Sequence, residues 1–436
     1  VSDPQPSGLA LAAAAFRQRN YRLFFVGGLI SNTGRWFQTI AIPIVVYGLT
    51  ESPGWVGLAG FAQIFPLAAM GPLAGALADR YPRRKILFVT QTLQAVAALG
   101  YMTLWFAGVR DVGVYVLMSF VSGAMAGLNL PAWQAFVSEL VPRELLLSAI
   151  TLNSAQFNGS RMIGPAVAGV AIAAWGPGWA FFVNAVSYAA VLVALALIQV
   201  PNVHTPSAER IRPVKEFVGA IRYARSKPGI RTAIATISVI GFFGLSLQTL
   251  SVVMAEEVFD RGEGGFGLML SALGFGAVTA SPAVAAASAR LPRSRIQGVA
   301  LVLYAIGICV LATAPVFVVA LGGLFVMGAA HISSASTLNT AIQLQVDESV
   351  RAKVISVYLT VLMLANPIGQ LLFGQVIELV GPRETIGGVG AAMFVIAVAL
   401  VASGRLRGLD DETEPYAPGA VAEAHPSTPA PPTGYR

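Results

Sequence analysis

Apolar residues run along the chain in long charge-poor blocks, separated by short stretches that hold arginine, glycine or proline. A run of roughly 18 such residues signals a membrane helix, because about 20 residues at 1.5 Å rise cross a hydrocarbon core of about 30 Å. The blocks predict twelve spans, at 22-48, 55-78, 86-107, 112-138, 148-174, 178-199, 231-257, 265-288, 296-314, 316-341, 353-379 and 385-404. The narrowest breaks, Gly176-Pro177-Gly178 and Ala314-Pro315, are marked by turn residues. The pattern therefore predicts an all-α polytopic membrane protein with twelve transmembrane helices.

Spacing of the blocks divides the chain. Residues 1-21 form a cytoplasmic N-terminal tail, 22-199 a six-helix bundle, 200-230 a cytoplasmic linker, 231-404 a second six-helix bundle, and 405-436 a disordered cytoplasmic tail. Within the linker, Val214, Phe217, Val218 and Ile221 recur at i, i+3, i+4 and i+7 behind Pro213, which predicts an amphipathic helix. Its other face carries Arg212, Lys215 and Arg222, suited either to a lipid surface or to a solvated connection. The tail is acidic at Asp410, Asp411, Glu412 and Glu414 and then rich in proline and alanine.

Composition narrows the class further. Hydrophobic residues make up 56% and charged residues 11% of the chain, with a mean hydropathy of +0.70, whereas soluble domains carry about 25% charge. The start lacks the short apolar core and cleavage site of a secretory signal, so the first block is expected to stay as a membrane helix. All but five of the 28 lysines and arginines fall in the N-terminal tail and the even-numbered loops. Arg110, Arg261 and Arg383 lie in opposite loops, and Arg35 and Arg161 lie inside spans. Cytoplasmic loops hold the basic excess, which puts both termini in the cytoplasm of a multi-pass bacterial inner-membrane protein. The same distribution accounts for the net charge of +7 through anionic lipid headgroups, without nucleic acid. The single cysteine, Cys309, permits no internal disulfide and no thiolate metal site. No metal-ligand cluster, phosphate-binding loop or nucleophile constellation occurs, so neither an enzyme nor a cofactor is expected.

The two halves repeat. Gly57, Pro72, Arg80, Pro82, Arg83 and Ile86 recur as Gly267, Pro282, Arg290, Pro292, Arg293 and Ile296; Gly164, Gly169, Gly176 and Pro177 recur as Gly369, Gly374, Gly381 and Pro382. Six helices per half return the chain to the same side, so the bundles are parallel repeats with a substrate site between them near the midplane.

The loop Gly75-Ala-Leu-Ala-Asp79-Arg80-Tyr-Pro-Arg83-Arg84-Lys85 resembles the signature loop of the major facilitator superfamily, with Pro82 where that signature has glycine. The second copy has Ala289 in place of the acid. The resemblance implies the major facilitator fold, two pseudo-symmetric six-helix bundles, and makes Gly75, Asp79, Arg80, Arg83, Arg84 and Lys85 a conformational gate that docks on the eleventh helix in the outward-open state. Gly34-Arg-Trp36-Phe-Gln38, Leu49-Thr-Glu-Ser-Pro53, Val141-Pro-Arg-Glu-Leu145, Arg161-Met-Ile-Gly-Pro165-Ala-Val-Ala-Gly169 and Arg351-Ala-Lys-Val-Ile-Ser356 are similar to the enterobactin-exporter branch, which includes macrolide and drug exporters. Gly164, Pro165 and Gly169 further resemble the fifth-helix motif of antiporters, with Ala168 replacing a glycine. The arginine that many proton-driven drug exporters carry in the fourth helix is absent from 112-138.

Polar residues within the spans are the candidate cavity. Asn32, Arg35 and Gln38 share one helix face, as do Ser154, Asn158 and Arg161. A buried charge is costly in a membrane, so Arg35 and Arg161 are expected to face protein or a wet cavity. The superfamily resemblance, in which helices one, four, seven and ten line the cavity, adds Asn129, Gln134, Gln248, His331 and Asn339. His331, the only histidine within a span, is the candidate for proton coupling, with interhelical packing as its other reading. The implied activity is export of a small amphipathic molecule, a siderophore or drug, by a monomer using alternating access and proton antiport. A lipid or lysolipid flippase and a non-transporting receptor or assembly protein are the alternatives.

Overall fold

The computed structural model describes residues 8–200 and 213–411. Among the described residues the chain is helical and contains no strand. A short α1 (Gly8–Arg17) leads into the first bundle, formed by α2 (Arg19–Thr50), α3 (Pro53–Ala69), α4 (Gly71–Arg80), α5 (Arg83–Phe106), α6 (Val112–Phe136), α7 (Leu146–Trp175) and α8 (Pro177–Leu197). The linker helix α9 (Pro213–Ser226) precedes the second bundle: α10 (Pro228–Val239), α11 (Ser246–Val253), α12 (Gly262–Ser288), α13 (Arg293–Thr313), α14 (Phe317–Gln345), α15 (Glu348–Val380) and α16 (Pro382–Ala402). Taking α3 with α4 and α10 with α11 as single rods, each bundle has six.

Nine helical segments among the described residues are long and apolar enough to cross a membrane by length and composition. The remaining rods explain their own exclusion. Arg19–Thr50 and Leu146–Trp175 carry Arg35 and Arg161 with their polar neighbours, and Pro53–Ala69 is only 17 residues because the helix breaks at Met70.

The repeat is visible in local chemistry. At the turns before α8 and α16, Gly176 and Gly381 have φ of 81° and 94°, and Pro177 and Pro382 then open the next helix. Glycine supplies the positive φ without a Cβ clash, and proline at the first helical turn loses no hydrogen bond. At the other end of the bundles the equivalence is shifted by one residue: Arg84, next to the Arg83 that Arg293 matches in sequence, donates to the carbonyls of Leu195 (2.7 Å) and Ala196 (3.0 Å), and Arg293 donates to those of Leu409 (2.8 Å) and Asp410 (2.7 Å). Each arginine ties down the segment that ends its own bundle, where unsatisfied carbonyls favour a cation.

Three segments differ from the sequence expectation. The N-terminal tail does not extend to residue 21: α1 packs on α7 with Ala15 buried, the Phe16 ring meets Tyr21 and Phe25, and the Tyr21 hydroxyl donates to the Ala149 carbonyl at 2.9 Å. Residues 1–7 lie outside the described residues. The disordered tail does not begin at 405 either, since Arg405–Leu409 forms a 3-10 turn that buries Leu406 and Leu409. Gln345 donates to the Gly408 carbonyl at 2.8 Å, and Asp410 accepts from the Ser294 amide at 2.9 Å. Residues 412–436, with Glu412 and Glu414, lie outside the described residues. The linker helix forms over the expected span but docks through a rotated face: Ala220 and Ala224 are buried, whereas Val218 is 48% exposed. Small residues let α9 approach α15 closely, and the Tyr223 hydroxyl donates to Asp347 at 3.0 Å. Burial raises the Tyr223 phenol above its ordinary value and keeps it a donor. Arg212 and the Val214 and Lys215 side chains lie outside the described residues.

The bundles meet along α3–α15 and α7–α12. A Cβ on Gly57 would lie 2.3 Å from the Gln370 carbonyl, and one on Gly169 would lie 2.8 Å from the Gly267 Cα. Only glycine permits these backbone approaches. Both lie towards the end of the molecule opposite α1 and α9. Carboxylates complete that seal. Glu257 accepts from the Tyr47 hydroxyl, and Glu378 accepts from the Ser52 hydroxyl (2.8 Å) and the Gly54 amide (3.1 Å).

Candidate functional site

A partly open cavity of about 280 Å³ lies mid-molecule. Its lining comes from six rods of the first bundle and one of the second: Arg35, Trp36, Gln38 and Thr39 of α2, Gln63, Ile64 and Leu67 of α3, Gln94 of α5, Ser122, Gly123 and Ala126 of α6, Phe157 and Arg161 of α7, Tyr188 of α8 and Gln248 of α11. Local packing aims these residues inward. Gly34, beside Arg35, abuts Ser187 so closely that an added Cβ would overlap the serine hydroxyl, so the neighbouring arginine is turned from α8 towards the cavity. Gln38 is fixed by the fully buried Asn184, whose amide donates to its Oε1 at 2.7 Å. Tyr188 donates to Gln94 Oε1 at 3.2 Å.

The two guanidiniums are the dominant charges. Arg35 stands 6.0 Å from the Phe157 ring centroid, a cation–π contact. Among the described residues neither the Arg35 nor the Arg161 guanidinium makes a hydrogen bond or ion pair, in contrast to Arg83, which pairs with Glu139. Among the described residues no carboxylate lines the cavity. Amides surround the cations instead, and two nearby polar atoms, Gln248 Nε2 and Ser122 Oγ, are buried without partners. Such a pocket favours an anionic or electron-rich group, since low dielectric strengthens its positive potential. No group of His, Cys, Asp and Glu able to hold a metal occurs among the described residues.

Of the residues expected in the cavity, the structure brings together Arg35, Gln38, Arg161 and Gln248. The other six do not line it. Asn129 donates to Thr90 Oγ1 at 2.8 Å, joining α6 to α5. Asn158 donates to the Ser154 carbonyl of its own helix, and Asn339 accepts from Gln343 one turn along. Gln134 is exposed and Asn32 partly buried outside the lining. His331 is buried in the second bundle beside Tyr304, with Nδ1 unpartnered, and lies within electrostatic reach of Arg161. Gln63, Gln94, Ser122 and Tyr188 were not anticipated: Gln63, Gln94 and Tyr188 lie on helices two, three and six, outside the four that the superfamily expectation names, and Ser122, although on the fourth, carries only a small hydroxyl. All four are polar residues within spans, and that was the available signal.

The residues expected to form a gate lie at the end away from the seal. An added Cβ on Gly75 would meet open space, so no helix approaches there. Arg83 pairs with Glu139 at 2.8 Å, and Arg84 ties down α8, both within the first bundle. Arg80 and Lys85 are exposed, and the Asp79 side chain lies outside the described residues. In the antiporter-like motif, Gly164 receives the Trp36 ring, the Pro165 carbonyl faces Gly267, and Gly169 makes the cross-bundle contact.

A wider groove of about 770 Å³ runs between α2 and α8. It is lined almost entirely by apolar side chains, including Ile30, Phe37, Phe182 and Val186, and holds no titratable group.

Two parallel-repeat helical bundles enclosing a polar cavity define a membrane transporter of the major facilitator fold. The solved nucleoside transporter NupG superposes with a TM-score of 0.71 at 11% identity, covering 88% of this chain and 98% of that one. A bacterial homologue of the lysosomal transporter Spinster, in an inward-facing and unoccupied conformation, gives 0.67 at 16% identity, covering 95% and 100%. The chain belongs to the transmembrane secretion effector family, whose profile matches residues 10–424. Its relatives include the multidrug efflux pump Tap of Mycolicibacterium fortuitum, 24% identical over 90% of this chain and 98% of that protein. The enterobactin exporter EntS of Shigella boydii is 22% identical over 87% and 91%. The staphyloferrin A transporter of Staphylococcus aureus is 25% identical over 60% of this chain, a match that spans 65% of that protein's length.

Proposed function

We propose that this protein exports small amphipathic anions, of siderophore or drug type, across the bacterial inner membrane by alternating access in exchange for protons. One observation carries the reading: Arg35 and Arg161 present unpaired guanidiniums to a cavity lined by amides and aromatic rings and lacking any carboxylate. A carboxylate or catecholate supplies the missing acceptors, and Trp36 and Phe157 supply apolar contact. The names of the relatives, two siderophore transporters and a drug efflux pump, agree with that chemistry.

All twelve rods then cross the membrane with both termini cytoplasmic, following the basic-residue asymmetry. The sealed end faces outward, and substrate enters past the gate arginines from the cytoplasm. The apolar groove between α2 and α8 favours a second reading, movement of a lipid or lysolipid, because it opens sideways where acyl chains lie.

Reconstitution into liposomes tests the proposal. Efflux is measured for an anionic compound, its neutral ester and a lysolipid, with and without an imposed proton gradient. Export of the acid above the ester, enhanced by the gradient, is expected. Preferential movement of permanent cations would sink the electrostatic reading, and movement of the lysolipid alone would establish the second.

A further inference from the structure

The groove between α2 and α8 takes no part in the cavity chemistry, yet its lining and its ends are specific. Its volume of about 770 Å³ is bounded on one side by Leu29, Ile30, Thr33 and Phe37, and on the other by residues from Phe182 to Val193. Gly34 and Ser187 also line it, and they meet so closely that no Cβ fits on the glycine. Their chain neighbours Arg35 and Tyr188 line the cavity instead, so α2 and α8 form a wall with one apolar and one polar side. In this structure the wall is shut, and whatever fills the groove stays on the membrane side. The two hydroxyls of the lining are already engaged: Thr33 with Ser160 at 3.2 Å, and Ser187 with the Asn184 carbonyl at 2.7 Å. The groove therefore offers hydrocarbon contact and no hydrogen bond to a polar solute.

The apolar stripe runs on beyond the groove to a basic end. Along α2, Arg19, Arg22, Val26, Leu29, Thr33 and Phe37 follow at spacings of three and four, which puts them on one helix face. Along α8, Phe182, Val186, Val193 and Leu197 share an exposed face that ends beside the same arginines. Arg19 donates to the Leu197 carbonyl at 3.4 Å, so its guanidinium reaches from one helix to the other where the groove runs out. That contact uses one of the five N–H groups a guanidinium carries. Arg84 arrives at the same end from α5 and donates to the Leu195 and Ala196 carbonyls. Length agrees with the chemistry. Arg22 to Phe37 is fifteen residues, about 22 Å at 1.5 Å per residue, and one leaflet measures about 20–22 Å from headgroup to midplane.

We propose that the groove is a binding site for one resident anionic phospholipid of the inner leaflet, with an acyl chain along α2 and α8 and its phosphate on Arg19 and Arg22. The inference takes the cytoplasmic placement of these arginines from the orientation proposed above and is independent of the cavity's substrate. Chain and headgroup are both required: a free phosphate gains nothing from the groove, and a neutral lipid gains nothing from the arginines.

Native mass spectrometry of the full chain in detergent, with added phosphatidylglycerol or phosphatidylcholine of identical acyl chains, tests the site. One phosphatidylglycerol per chain should be retained in preference to phosphatidylcholine. Arg19→Gln combined with Arg22→Gln should lower phosphatidylglycerol retention by about twenty-five-fold, about fivefold for each arginine beside an anionic lipid, and leave phosphatidylcholine unchanged. Ala189→Trp, at an exposed position in the groove wall, should abolish retention of both lipids. Val170→Trp, exposed on α7, should not. The arginine pair lies at a helix end and decides the matter if the groove tryptophan disturbs packing. An equal loss from Arg222→Gln with Arg225→Gln, exposed on the linker helix, would reduce the effect to general surface attraction and overturn the site. Equal retention of the two lipids overturns it as well. So does a dimer abolished by Ala189→Trp, which would give the groove to a second copy, or protein-dependent movement of phosphatidylglycerol between liposome leaflets, which would make it a passage.

Discussion

The two bundles share a topology and a repeated sequence, yet place their polar residues differently. In the first, Arg35, Gln38, Gln63, Gln94 and Arg161 face a common cavity. In the second, polar groups are folded into the bundle's own interior: Gln297 donates to Ser334 at 3.1 Å, Tyr304 meets His331 edge to face, and only Gln248 reaches the cavity. Duplication preserves the scaffold because helix turns and bundle-ending arginines serve packing in both halves. Under the proposed function, binding chemistry concentrates in one half and leaves the other to move against it.

The sharpest way to break this asymmetry is to remove a first-bundle charge. Arg35→Gln should weaken an anionic ligand by about tenfold to a hundredfold, the range for a hydrogen bond to a charged group, while a neutral analogue changes little. Titration calorimetry on both ligands checks it, with equal losses arguing for general disruption. Arg161→Gln should follow the same pattern.

The gate loops give the next contrast, because Asp79 has no acidic counterpart at Ala289. Asp79→Asn should lower export by about tenfold with insertion intact, the effect of removing a carboxylate that in the proposed gate docks against the N-terminus of another helix, whereas Ala289→Asp should leave export near the parent rate. Quantitative immunoblotting beside the flux assay separates folding from function. Normal export by Asp79→Asn would remove it from the gate.

A smaller difference is expected for buried amides. Asn184→Leu leaves Gln38 unpaired and should cost about 1–3 kcal/mol of stability, together with a roughly threefold loss of ligand affinity as Gln38 reorients. Ser334→Ala strips Gln297 of its partner and should cost similar stability with affinity unchanged. Thermal melts with and without ligand read both. Equal affinity losses would erase the distinction between bundles.

Smallest of all in binding is His331→Gln, expected within about twofold of the parent because the ring lies outside the cavity lining. Its effect should fall on coupling: downhill exchange persists while accumulation driven by a proton gradient is lost. Undiminished accumulation would return His331 to a packing role beside Tyr304.

Much of the scaffold was legible because each local signal has a local cause. Apolar block length predicts the rods, Gly176-Pro177 and Gly381-Pro382 predict matching turns, and Pro213 with the following periodicity predicts α9. The failures are instructive in the same terms. Residues 405–409 follow the last apolar block and precede an acidic stretch, yet Leu406 and Leu409 are buried by partners from α10, α13 and α14, which are distant in sequence. The α9 face was misplaced because large side chains dominate periodicity, whereas close docking selected Ala220 and Ala224. Four of the ten residues proposed for a cavity line this one, because an amide on a helix looks the same in sequence whether it faces a cavity, as Gln248 does, or a neighbouring hydroxyl, as Asn129 does.

By itself the sequence determined that this chain is a polytopic, duplicated membrane protein carrying two arginines too costly to leave in lipid. Those conclusions depend on hydropathy, length and charge, which each residue carries wherever the chain places it. Tertiary structure alone decided that Arg35 and Arg161 share a cavity without a carboxylate, that His331 stands apart from it, and that Glu257 and Glu378 fasten one bundle to the other. Such facts depend on which helices meet and at what rotation. Glycine contacts such as Gly57 with Gly374 and Gly169 with Gly267 set those approaches, and a glycine in sequence does not name the backbone it will touch.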